Sequence, residues 1–101
     1  MLQTISSTQL FVFVILPVLL FLGGCSLIPP VQEMSNARQS LQAAKSAGAE
    51  VHDSKRFSKA SELLDLASQK MDSGDYVTAR ELALEARSIA IKARQVTVIK
   101  K

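Results

Sequence analysis

Apolar positions in this chain follow two regimes. From Leu10 to Leu22 they run unbroken as LFVFVILPVLLFL, thirteen residues with Pro17 inside. From Met34 onward they recur every third or fourth residue among polar ones, the spacing that lays side chains along one face of a helix. Met34, Ala37, Leu41 and Ala44 predict a first helix over about 31–48, stopped at Gly48. Ala49 to Asp53 is read as the turn that follows. Asp53 or Ser54 would cap a second helix over about 54–73, where Phe57, Ala60, Leu64, Ala67 and Met71 form the stripe and Leu63 broadens it. Gly74 is free to take the left-handed cap conformation and Asp75 to cap a third helix over about 76–97. That helix carries Ala79, Leu82, Ala86, Ile89, Ala93 and Val96 on its seam, with Ala83 and Ala90 beside them. The expected fold is all-α: an N-terminal signal or anchor helix, then a small three-helix domain ending in an αα-hairpin of about 54–73 and 76–97.

The seam is unusual in its sizes. Alanine alternates with larger residues, so helix backbones can approach closely but each alanine buries little area. A fully buried Leu, Ile, Phe or Met contributes roughly 1.5–3 kcal/mol, and few such residues follow residue 30. A domain this small is marginal alone, which predicts self-association or a hairpin lent to a partner.

The unbroken run is too short for a bilayer-spanning helix of about 20 residues and fits the hydrophobic core of a secretion signal, about 7–15 residues. It ends at Leu22-Gly23-Gly24-Cys25, which holds the only cysteine. The cysteine thiol is a nucleophile able to take a diacylglyceryl group, two glycines leave the backbone bare for a protease, and Leu22 is the apolar residue three positions before it. These residues resemble a lipobox, the bacterial site of lipid attachment and signal cleavage. The resemblance implies Leu22, Gly23 and Gly24 as the signal peptidase recognition residues and Cys25 as the lipidated one, carrying diacylglyceryl and an N-acyl chain. The expected domains are a signal peptide at 1–24, lipidated Cys25 with a tether through residue 32, and a helical domain at 33–101. Pro29-Pro30 stiffens the tether, and Pro30 suits the first helical position, where a missing N–H costs nothing.

Charge divides the chain at the same boundary. All 12 Lys and Arg and all 9 Asp and Glu lie at or after Glu33. A net charge of +3, one Tyr and no Trp give no basic surface interleaved with aromatics, so nucleic acid is not an expected partner. The lack of Lys or Arg ahead of the apolar run departs from the usual signal peptide. It supports an alternative, an uncleaved single-pass membrane protein whose helical domain the positive-inside bias places in the cytoplasm.

No nucleophile–base pair, glycine-rich phosphate loop or cluster of metal ligands is visible, so an enzyme is not expected. No cofactor or metal is expected either. His52, the only histidine, reads as a solvated turn residue. Glu62, Asp65, Glu81 and Glu85 read as a solvated helix face. The last acidic residue is Glu85. Beyond it stand Arg87, Lys92, Arg94, Lys100 and Lys101, a candidate surface-binding tail for anionic lipid or peptidoglycan. Positive charge at a helix C-terminus is also favourable in itself. A terminal lysine, Lys101, is further a candidate for covalent attachment to peptidoglycan.

The segment Gly74-Asp75-Tyr76-x-x-Ala79-x-x-x-Ala83-x-x-Ala86 resembles the second half of a tetratricopeptide repeat, with residues 60–93 as the 34-residue unit. Lys70 and Ile91 depart from that pattern, and one unit makes no concave peptide groove. Taken with Ala60, Leu64 and Ala67, the lipobox and the tether, the chain is similar to small bacterial envelope lipoproteins built around an alanine-rich, tetratricopeptide-like helical domain of unknown function. The resemblance covers about residues 36–95. It implies a structural or adaptor role in the envelope, with the membrane held through lipid and another envelope protein or a second copy as partner. Ser26, standing where Asp favours inner-membrane retention in such lipoproteins, leans the expectation to the outer membrane, facing the periplasm.

Overall fold

The structure, a computed structural model, describes residues 28–100. It is all-α over these residues, with helices α1 (Val31–Ala47), α2 (Ala49–His52), α3 (Ser54–Asp72) and α4 (Tyr76–Lys100). The expected N-terminal signal or anchor helix, with Leu22, Gly23, Gly24 and Cys25, lies outside the described residues, as does Lys101.

Helix α4 is the centre of the bundle, and α1 and α3 both pack along it. The chain reverses between α3 and α4, so these two run antiparallel. Helix α1 runs parallel to α4, because Glu33 meets Arg80 near the start of both while Ala44 and Ala93 share a cluster towards their far ends.

Each reversal has a local cause. Gly74 sits at φ +85°, a conformation that side chains with a Cβ rarely adopt. The Asp75 N–H then donates to the Lys70 carbonyl at 2.9 Å and the Gly74 N–H to that of Met71 at 3.1 Å, which closes a Schellman cap on α3. Asp75 starts α4 as expected, its carboxylate accepting from the Thr78 N–H at 3.3 Å. Gly48 ends α1 at φ +98°.

Four local expectations need correction. Ala49 to Asp53 is not an open turn: residues 49–52 form one helical turn, so the buried Ala49 joins Ala44 and Ala93 in the core instead of facing water. Neither Asp53 nor Ser54 caps α3 with its side chain; the Asp53 carboxylate instead accepts from the Arg56 guanidinium at 2.9 Å. Pro30 precedes α1 rather than entering it and is buried, its carbonyl accepting from the Met34 N–H. Helix α4 continues to Lys100, three residues past the expected end.

The core has a small-residue centre and a large-residue rim. Among the described residues, ten of the thirteen buried hydrophobic ones are alanines, leaving Met34, Leu63 and Leu64 as the large ones. On α4 the deepest row is Ala79, Ala83, Ala86, Ala90 and Ala93, continued by Thr97. Leu82, Ile89 and Val96, expected on the seam itself, are half-buried at its edge. The helix is thus rotated so that its smallest residues face two neighbours at once, which lets both approach closely.

Thr97 is fully buried and its hydroxyl oxygen has no hydrogen-bond partner among the described residues. An unpaired buried hydroxyl costs roughly 1–3 kcal/mol. Replacing it with a methyl group of the same shape, Thr97→Val, is expected to raise stability by about 1 kcal/mol, a gain of roughly 4–8 °C in Tm for a domain of this size. Ala90→Leu, which forces volume into a fully closed contact, is expected to cost about 1–3 kcal/mol. Thermal unfolding followed by circular dichroism checks both.

Candidate functional site

Two arrangements stand out, one at each end of the bundle. At the start of α1 and α4, Arg80 reaches across to the tether. Its Nε donates to Glu33 Oε1 and its terminal nitrogen to the Ile28 carbonyl, each at 3.3 Å. One side chain of α4 thereby fixes both the first turn of α1 and the chain entering it. Arg80 and Glu33 are each about one-third exposed, so solvent screens the pair and its worth is no more than about 1 kcal/mol. Its effect is to set where the chain enters the bundle.

Towards the other end lies an open groove of about 1100 Å³ between α3 and the C-terminal half of α4. Lys55, Arg56 and Lys59 of α3 and Lys92 of α4 supply its cations, and Ile89 and Ile91 its apolar surface. The Arg56–Asp53 pair at 2.9 Å neutralises one of these charges. Glu62 is the other carboxylate on the wall. Three lysines against one carboxylate leave the groove positive. Such a surface suits an anion or an acidic protein segment by charge.

Of the described candidate tail residues, only Lys92 lines this groove. Arg87, Arg94 and Lys100 are exposed elsewhere on α4. Sequence reading ended the basic region at the tail and missed Lys55, Arg56 and Lys59. The signal was present: reflecting residue 92 through the reversal at Gly74-Asp75 brings it opposite the first turns of α3. The Arg80 clamp had no comparable signal, since 47 residues separate Arg80 from Glu33.

His52 is exposed on α2, and Glu62, Asp65, Glu81 and Glu85 are exposed on their helices. Among the described residues no group of three or more His, Cys, Asp or Glu side chains is placed to hold a metal ion. No helix among them is long and apolar enough to cross a membrane.

A family model described as a domain of unknown function, DUF4398, matches residues 32–101. No curated protein and no solved structure matches the chain.

The clamp yields a direct expectation. Arg80→Ala should lower global stability by less than about 1.5 kcal/mol, yet accelerate hydrogen exchange at the Val31 and Met34 amides, whose N–H groups donate to the Pro29 and Pro30 carbonyls. Exchange within the α3–α4 hairpin should stay unchanged. Mass-spectrometric hydrogen exchange on the full chain separates the two.

Proposed function

The chain belongs to the DUF4398 family, whose domain spans nearly all of the described bundle, and from that premise we propose that it is a lipid-anchored adaptor of the bacterial cell envelope. The observation that carries the reading is Leu22-Gly23-Gly24-Cys25 at the end of the apolar run, a few residues before the bundle begins. Cys25 bears the lipid, residues 1–24 are removed, and the helical domain binds another envelope component. Ser26 favours the outer membrane with the domain facing the periplasm.

The bundle's geometry supports this reading and sharpens it. Ile28 stands three positions after Cys25, at most about 11 Å of extended chain. The anchor thus leads into the end of the bundle where α1 and α4 both start. Because α4 runs parallel to α1, its cationic half points away from that end. Lys100 lies about 30 Å along the helix axis from Arg80. A tail aimed away from its own anchor favours a component standing off the membrane, peptidoglycan or a protein, over the lipid in which the anchor sits. A single tetratricopeptide-like unit makes no concave groove of the kind repeat arrays use, so the reading does not rest on peptide binding by that route. Self-association and covalent linkage through Lys101 remain secondary forms of the same structural role.

The absence of Lys and Arg before Glu33 favours the second reading, an uncleaved single-pass protein with residues 33–101 in the cytoplasm.

The intact mass of the protein from native membranes distinguishes them. The expected species begins at Cys25 and carries diacylglyceryl and acyl mass, while Cys25→Ser accumulates as an unlipidated full-length chain of 11.0 kDa. A full-length, unlipidated mass for the natural chain overturns the anchor and supports the single-pass reading.

A further inference from the structure

Helix α4 carries a row of large apolar residues that the bundle does not cover. Val77, Leu84, Ile91 and Val98 are exposed by 54, 47, 38 and 58 %. They are spaced by seven residues, so the row drifts by only about 20° per step and stays on one broad side of the helix. The three positions between them, Arg80, Arg87 and Arg94, form a second seven-residue row along one flank. On the other flank Ile91 meets the groove, with Lys92 beside it and Lys59 across from it on α3.

A seven-residue apolar row is matched by another helix crossing at a shallow angle, whose own residues repeat with the same period. The flanks decide which helix. A second copy docked antiparallel through this row sets Arg87 against its own equivalent and Arg80 against Arg94, while Glu85 meets the copy's Lys92 on the other flank. A parallel pair sets Arg87 against the copy's Lys92, with Glu81 and Glu85 opposite Arg80 in favour, and Arg80 already faces Glu33. The arginine row therefore opposes an antiparallel homodimer through this face, and the excess of cations over Glu81 and Glu85 on its flanks favours carboxylates on an incoming helix.

We propose that the outer face of α4, with the basic groove it shares with α3, seats an amphipathic protein helix that carries an apolar row and acidic flanks. Docking places that helix's apolar row on Leu84 and Ile91 and its carboxylates between Arg87 and Arg94 on one side and Lys59 and Lys92 on the other. The inference rests on the adaptor reading above and is indifferent to how the chain is anchored.

The test uses the full chain in detergent micelles and fluorescence anisotropy of three labelled synthetic peptides. One has leucines at heptad spacing and glutamates on both flanks, one has the same leucines flanked by lysines, and one has the glutamate composition scrambled so that no helical row exists. The first is expected to bind, the other two to bind at least about tenfold more weakly. Leu84→Asp and Ile91→Asp should each weaken the first by at least about tenfold. Lys59→Glu combined with Lys92→Glu should weaken it too and flatten its salt dependence. Leu84→Gln keeps helix propensity and replaces Leu84→Asp if the latter loses its helical circular dichroism.

Equal binding of the lysine-flanked peptide overturns the proposal. So does equal binding of the scrambled acidic peptide with no loss in Leu84→Asp, which marks a general polyanion surface. A dimer in sedimentation that Leu84→Asp dissociates makes a second copy the occupant and also overturns it. The intact mass is unaffected by any of these results, so the partner class can fail while the anchor stands, and the reverse.

Discussion

The bundle depends on a single constraint: one helix must serve two neighbours. Helix α4 packs against α1 and α3 along one narrow arc, and only small residues allow both to come near. The row Ala79, Ala83, Ala86, Ala90 and Ala93 meets that need. The larger residues Leu82 and Ile89 are displaced to its rim, where they pack against the core formed by Leu63, Leu64 and Ala67 of α3 with Met34 and Ala37 of α1. Close approach is gained at the cost of area, since an alanine methyl removes little surface from water. The backbone caps at Gly48 and Gly74 matter more in such a bundle than in one with a thick core, because they fix helix ends that side-chain burial holds only weakly.

The same arc explains why large apolar residues remain outside. Val77, Leu84, Ile91 and Val98 occupy the far side of α4, which no described helix covers. A helix apolar on more than one face belongs in the middle of something. In this chain two of its sides are occupied by the fold, and the remaining one is bordered by more cations, Arg87, Arg94 and Lys92, than carboxylates, Glu81 and Glu85. An excess of cations at that border disfavours pairing of the face with itself and suits a partner of opposite charge.

Much of this was legible in the residues. Helix existence and order followed from the three-and-four spacing, and the hairpin reversal from Gly74-Asp75. What escaped was rotation. Period alone places Ala86 and Leu82 on the same stripe; it does not say that the stripe centres on the alanines, because that follows from how many neighbours the helix has. Val96 and Thr97 changed places for the same reason, the buried position falling to the threonine. The turn at residues 49–53 was misread because Gly48 looks like a stop, whereas its left-handed backbone leads straight into another helical turn. The groove escaped because its cations are shared between two helices, and the clamp because charge pairs distant in sequence leave no local trace.

Arg80 has a mechanical consequence. A pull arriving through residue 28 enters the bundle at the shared start of α1 and α4, where the guanidinium ties the Ile28 carbonyl and Glu33 to the central helix. If the far half of α4 is gripped, the load runs along two parallel helices and must slide them past one another, displacing the whole alanine row at once. Were α1 antiparallel to α4, the same pull would peel the contact apart one turn at a time. A thin core loaded in shear resists tension better than its small buried area suggests.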